Sequence, residues 1–175
     1  TVNGLADNPY AAASQALLDY LYQQHNAEQG QAAFLTSNNL ALRRADFARG
    51  GGFDASYGLA GGEDRDFCRR WLAAGLRLAF EPAARVSHSR AMGLGGFLGQ
   101  HFNYGRGAYR FHRGRPAGAR RLAPLGFYAR LLGYPLRRPA GHNRLGQAGL
   151  LALSQLATAA GYARQGLAGR DGTPA

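Results

Sequence analysis

The chain has no lysine: all 21 of its basic residues are arginine. Its only cysteine is Cys68, which excludes an intramolecular disulfide and a cysteine-built zinc site, so nothing demands an oxidising compartment. Acids almost vanish from the second half. Residues 1–82 hold seven Arg and nine acids, a net of −2, whereas residues 83–175 hold fourteen Arg and only Asp171, a net of +13. Wholesale disorder is excluded too, because 46% of the residues are hydrophobic and 18% charged, enough to build a packed core. Uninterrupted apolar runs are also missing. The stretch "LGQAGLLALSQLATAAGYA", residues 145–163, comes nearest, but Gln147, Ser154, Gln155 and Thr158 interrupt it. A membrane span needs about 20 mainly apolar residues. That stretch therefore reads as an interfacial or weakly inserted helix.

What is present divides into two patterns. Asn8-Pro9 reads as a helix start, with Asn8 as N-cap and Pro9 in the first turn, and the apolar spacing carries that helix to about His25. "AAFLTS", residues 32–37, reads as a short buried strand, and "RADFARGGGFD" as a short helix ending in a glycine turn. In "GGEDRDFCRRWLAAG", residues 61–75, Phe67, Cys68, Trp71 and Leu72 share one helical face, Cys68 and Trp71 belonging to the core, and Gly75 suits the C-terminal end. "LRLAF", 76–80, and "ARVSH", 84–88, read as two further strands. The rhythm is that of an α/β fold.

From Leu94 the spacing turns helical again, with Arg106, Arg110 and Arg113 on one face. "HRGRPAGARR" follows as a basic Pro/Gly linker, and "LAPLGFYARLLGYPLRRPAG" as a short apolar segment broken by prolines. A surface of this charge suits anions: phosphates, nucleic acid or anionic lipid head groups. The arginines are spread over several elements and flank apolar helices, which favours a lipid surface over nucleic acid. The run Gly50-Gly51-Gly52 is no nucleotide fingerprint, because no strand–glycine–helix context surrounds it.

The ordered set Ser37, Asn39, Arg43-Arg44, Gly51-Gly52-Phe53-Asp54, Glu63-Asp64, Arg70, Gly75, Pro82, Ala84, Val86 and His88 resembles the C-terminal half of family 2 glycosyltransferases with the GT-A fold. "QHFNYGRGAYRFHR" resembles the helix that often follows, so the likeness covers roughly residues 32–113. It implies an α/β, partial GT-A (Rossmann-like) domain over residues 1–113. Residues 114–175 then form a basic linker and apolar, membrane-associating helices. It also implies an inverting transfer of a sugar from a nucleotide-sugar donor to a carbohydrate or lipid-linked acceptor, with a divalent Mg or Mn ion. The place of action would be the cytoplasmic face of the membrane, in building a bacterial cell envelope. The part of the pattern that holds the nucleotide and an Asp-x-Asp metal motif has no counterpart here. Asp64-x-Asp66 opens a helix and fills the other slot. The chain, which begins at Thr1, is thus expected to be the acceptor side of such an enzyme, inactive without its donor side.

By the same resemblance Asp64 is the general base, and Glu63 holds the base or the acceptor. Alternatively, acids in a first helical turn complement the helix dipole for about 0.3–1 kcal/mol each. His88 is either a metal or diphosphate ligand or a hydrogen-bonded histidine at a strand end. Ser37, Asn38 and Asn39 line the donor sugar or acceptor, or else serve as ordinary turn residues. Gln100, Tyr104 and Arg106 are candidates to clamp phosphate or acceptor, since guanidinium pairs bidentately with phosphate oxygens. Arg110 and Arg113 fit a solvated basic face. Two other functions stay open: a non-catalytic basic module that binds membrane or nucleic acid, and an inactive fragment.

Overall fold

A computed structural model describes residues 1–5, 7–26, 30–58, 61–115, 123–137 and 143–168. Among these, 65% are helical and 3% lie in strands. The elements run β1 (Val2–Asn3), α1 (Pro9–His25), α2 (Arg44–Arg49), α3 (Glu63–Ala73), β2 (Ser87–His88), α4 (Leu94–Arg113), α5 (Leu125–Arg137) and α6 (Arg144–Ala168). Single 3-10 turns stand at Ser37–Asn39 and Ala55–Tyr57.

The expected α/β, Rossmann-like fold is not what forms. The one sheet among the described residues has two short parallel strands, β1 and β2, which pair Val2 with Ser87 and Asn3 with His88. Segments 32–37 and 76–80 do run close together, but they share one backbone hydrogen bond, from Ala32 N to Leu78 O at 2.9 Å. Side chains have claimed the groups that a ladder would use. Asn26 Oδ1 accepts from the amides of Ala33 and Phe34, and its Nδ2 donates to the Phe34 carbonyl at 2.8 Å. The Leu35 amide donates to Cys68 Sγ at 3.4 Å and the Thr36 amide to the Tyr22 hydroxyl at 3.0 Å. Each backbone group is satisfied without a neighbouring strand.

The helices form where the local chemistry places their ends. Asn8 Oδ1 accepts from the Ala11 amide at 2.8 Å, capping α1. At the end of α3, Gly75 takes a positive φ of 75°; its amide reaches Leu72 O, and the next amide, of Leu76, reaches Trp71 O. That pairing is a Schellman stop, which glycine meets without a Cβ penalty. Arg70 then ties α3 to the preceding glycine turn: Nε donates to Asp66, Nη1 to Gly50 O at 2.8 Å and Nη2 to Gly52 O at 2.7 Å.

Helix α1 lies between two apolar cores. Leu18 and Tyr22 pack on one built from Phe34, Leu35, Phe67, Cys68, Trp71 and Leu78. Ala16 and Tyr20 enter the other, with Leu131 and Tyr134 of α5 and Leu151 of α6. The tightest helix pair is α4 with α6. A Cβ at Gly105 would meet the Thr158 carbonyl, and one at Gly161 would meet the Phe102 carbonyl. The apolar stretch 145–163 thus becomes the middle of α6, packed on α1, α4 and α5. Pro135 sits in the last turn of α5 instead of breaking it. No helix among the described residues is long and apolar enough to cross a membrane. Residues 116–121, most of the expected basic linker, lie outside the described residues.

Candidate active site

Two glycines set the site. Gly61 and Gly62 carry φ values of 142° and 96°, where a side chain is strained. They are also wedged against α4. A Cβ on Gly61 would come within 3.0 Å of Tyr104 Cα, and one on Gly62 within 2.9 Å of the Gly107 carbonyl. Gly107 in turn has no room for a Cβ, because the Gly61 carbonyl fills that space. The bend is therefore locked in place by backbone contact. It aims the first turn of α3 into a cleft of about 980 Å³ walled by α1, α3, α4, α5 and α6.

Glu63 and Asp64 both line this cleft. Glu63 Oε2 accepts from the Gly61 amide at 2.5 Å, so the glutamate holds the bend that presents its neighbour. Asp64 Oδ1 accepts from the Arg65 amide at 2.8 Å. Burial, and then the charge of Glu63, push the Asp64 carboxyl up to about 6. Burial also raises the Tyr104 phenol, with the charge of Asp64 next in effect and Arg90 opposing it. Tyr104 and Arg90 thus stand within electrostatic reach of one another, and Tyr104 of Asp64.

Of the other residues singled out in the sequence, Ser37, Asn38, His88 and Gln100 line the same cleft. Asn38 Oδ1 accepts from Thr36 Oγ1 at 2.7 Å, and Gln100 Nε2 approaches Ser14 Oγ at 3.5 Å. Asn39 and Arg106 are elsewhere. Asn39 Nδ2 donates to the Ala84 carbonyl at 2.9 Å, bracing the loop before β2, and Arg106 Nε donates to Gln165 Oε1 at 3.0 Å, joining α4 to α6. Arg110 donates to the carbonyls of Ser56 and Tyr57.

The cleft also holds residues that sequence reasoning missed: the arginines Arg65, Arg90 and Arg115, and the imidazoles of His25 and His112, which burial and then the neighbouring guanidinium groups lower from the ordinary histidine value toward the neutral form. Arg65 had a weak signal. It falls three residues before Cys68, on the edge of the core face of α3, and its guanidinium lies 5.0 Å from the centre of the Phe34 ring. His25 and His112 gave none, since their partners come from distant segments.

Among the described residues no three of His, Cys, Asp or Glu come together in a way that could hold a metal, although Glu63, Asp64 and His88 share the cleft. The chemistry available is that of a raised carboxylate beside arginines in a cleft whose lining is more apolar than polar.

Residues 24–92 match the family model for the N-terminal domain of galactosyltransferase. That segment, under half of the chain, is similar to a glycosyltransferase domain. No curated protein and no solved structure matches the chain. The matched segment contains Ser37, Asn38, Glu63, Asp64, Arg65 and His88, whereas Gln100 and Tyr104 join the cleft from α4, beyond it.

Proposed function

We propose that the cleft transfers a hexose from a nucleotide-sugar to an acceptor hydroxyl by inverting displacement, in the manner of family 2 glycosyltransferases, with Asp64 as the base. The observation that carries this reading is the placement of Asp64. It is a carboxylate raised to about 6, held by a locked glycine bend, in a cleft built in part from the segment similar to a galactosyltransferase domain. A base with a pKa near the working pH is ionised yet still basic enough to accept a proton. In the step, the acceptor hydroxyl gives its proton to Asp64 and its oxygen attacks the anomeric carbon. The bond from that carbon to the nucleotide diphosphate breaks, and the leaving group departs with the electron pair. Arg90 and Arg65 would supply positive potential for it. Glu63 acts through Asp64, holding the bend and raising the carboxyl.

Asp64→Asn tests this in the full-length protein. Transfer should fall by at least about 10²-fold, the scale of a lost general base, while nucleotide-sugar binding persists. Turnover near the wild-type rate would remove Asp64 from the role.

We further propose that the protein works against an anionic membrane surface without spanning it. Leu125 and Leu145 are 88% and 77% exposed, Arg144 precedes Leu145 at the start of α6, and Arg130 and Arg137 are also exposed on α5. Exposed leucines flanked by arginine suit a headgroup boundary. Flotation with vesicles containing phosphatidylserine should carry the protein, and neutral vesicles should not. Equal recovery with both, or with neither, would sink this part.

A further inference from the structure

Ser14 lies on α1 and lines the cleft, but its partners come from α4. Ser14 Oγ stands 3.3 Å from His101 Nε2, and Gln100 Nε2 approaches the same oxygen at 3.5 Å. His101 is 1% exposed and sits behind the lining. Its ring packs edge-to-face with those of Phe97, 4.5 Å away between centres, and Tyr104, 5.4 Å away. Its Nδ1 has no hydrogen-bond partner among the described residues. That arrangement decides which nitrogen carries the proton. A proton on both would bury a charge among rings, and burial lowers the group from 6.5 to about 4. A proton on Nδ1 alone would bury a donor with nothing to accept it, the rarer defect in folded proteins. With the proton on Nε2, only a lone pair goes unmatched, and the N–H donates to Ser14 Oγ. The serine oxygen then accepts from His101 and Gln100, and its own proton is left to give. The hydroxyls of Ser154 and Thr158 turn back on their own helix, to the carbonyls of Leu151 at 2.7 Å and Ser154 at 2.8 Å. Ser14 makes no such bond among the described residues.

We infer that Ser14 is a substrate-binding residue, its hydroxyl held by His101 and Gln100 as a donor to an oxygen of a neutral sugar ring. The lining beside it is uncharged, with Gln100 against it and Gln15 next in the chain. Such a stretch suits a hydroxyl or ring oxygen and offers a phosphate no counter-charge. It is continuous with the carboxylate, because the His101 ring adjoins Tyr104, whose phenol feels the charge of Asp64. Ser14 is not a nucleophile. A histidine that took its proton would need a partner at Nδ1 to support the charge, and His101 has none among the described residues. His101 is a positioning residue, which acts through Ser14.

The choice of a sugar rests on the transfer reading, whereas the placement of the proton does not. Nitrogen NMR on the full chain with isotope-labelled histidine reads that placement, His101 being assigned by the signals that His101→Gln removes. At neutral pH it should show a protonated Nε2 and a bare Nδ1. The Nδ1–H tautomer would overturn the proposal, since Ser14 would then give its proton to the ring. Methyl glucoside, methyl galactoside and methyl mannoside are next titrated into wild type, Ser14→Ala and Ser14→Thr. Ser14→Ala should weaken the tightest of them by about two- to tenfold, the worth of one neutral hydrogen bond. Ser14→Thr keeps a hydroxyl and should restore most of the loss, which a merely structural role would not predict. Unchanged affinity in Ser14→Ala, an equal loss in both variants, or no saturable binding of any hexoside would overturn the proposal. In turnover the loss should appear in KM and not in kcat. It falls on the nucleotide-sugar if the transferred hexose makes the bond, and on the acceptor if a sugar of the acceptor does. If Asp64→Asn keeps its turnover while Ser14→Ala still weakens hexosides, the base assignment fails alone. If transfer depends on Asp64 and Ser14→Ala changes nothing, this inference fails alone.

Discussion

Asp64→Asn should make the protein more stable in the same pH range where it removes activity. The carboxyl rises from an ordinary 3.8 to about 6 in the folded state, chiefly through burial. Below pH 3.8 both folded and unfolded chains hold the proton, and the group costs nothing. Between 3.8 and about 6 the folded chain keeps the proton that the unfolded chain has lost, so stability falls as pH rises. Above about 6 both are ionised and the full cost is present. Two pH units correspond to about 3 kcal/mol as a ceiling. Asp64 is only partly buried, and water reaching it brings the figure to about 1–2 kcal/mol. The asparagine keeps an oxygen for the Arg65 amide, so the local bond survives.

Thermal unfolding of wild type and variant across pH is the assay. For a chain of this size about 1 kcal/mol moves the midpoint by about 2–4 °C. The variant should melt about 2–8 °C higher at pH 8, with the gain shrinking toward zero by pH 4. His101 acts in the opposite sense over an overlapping window. Burial lowers it to about 4 from 6.5, so its contribution is intact above pH 6.5 and is lost as pH falls through about 4. Because His101 is present in both proteins, it cancels in their difference. A variant that melts lower at pH 8, or whose gain is undiminished at pH 4, would refute the reasoning: Asp64 would not be an ionised group held at a cost.

Glu63→Gln removes the neighbouring charge that helps to raise Asp64 while keeping an oxygen for the Gly61 amide. The rising acid limb of the turnover profile should move to lower pH by up to about one unit, and an unmoved limb would show that the two carboxylates are not coupled. Gly105→Ala drives a methyl into the Thr158 carbonyl at the α4–α6 crossing and should destabilise by about 3 kcal/mol, the upper part of the overpacking range. Chemical denaturation reads this directly, and a loss under about 0.5 kcal/mol, the size of an ordinary surface substitution, would mean that the helices are not seated as closely as described.

The sequence disclosed helix ends more fully than it disclosed the fold. Asn8-Pro9 starts α1 because an oxygen side chain beside proline satisfies a free amide locally. Gly75 stops α3 because its positive φ is a property of one residue. Both signals lie within a few residues of what they specify. The sheet did not follow from equally good strand patterns. "AAFLTS" has the composition of a buried strand and is indeed in the core, but whether it becomes a strand depends on what meets its amides. Those partners are Asn26, Tyr22 and Cys68, none of which advertises that role in the sequence. For "AAFLTS" and "LRLAF" the pattern reported core contact without pairing, whereas "ARVSH", exposed throughout, contains the paired strand β2.

The candidate site divides along the same line. Glu63 and Asp64 were legible because a glycine pair followed by acids at a helix start is a local arrangement. Asn39 and Arg106 were singled out on equally local grounds, yet each spends its hydrogen bond on tying segments together. What decides between the two outcomes is the surface behind the residue. The Gly61-Gly62 bend rests on Gly107 and Tyr104 so closely that neither partner can carry extra bulk, and the carboxylates have only the cleft to face. Asn39 instead has an unpaired carbonyl at Ala84 within reach, and Arg106 an amide oxygen at Gln165. A polar side chain offered a bond inside the protein takes it. Glu63 and Asp64 also accept from amides, those of Gly61 and Arg65, but these bonds stay within the bend and the first turn and leave both residues on the cleft wall, where the burial of Asp64 carries the cost in stability that Asp64→Asn is expected to return.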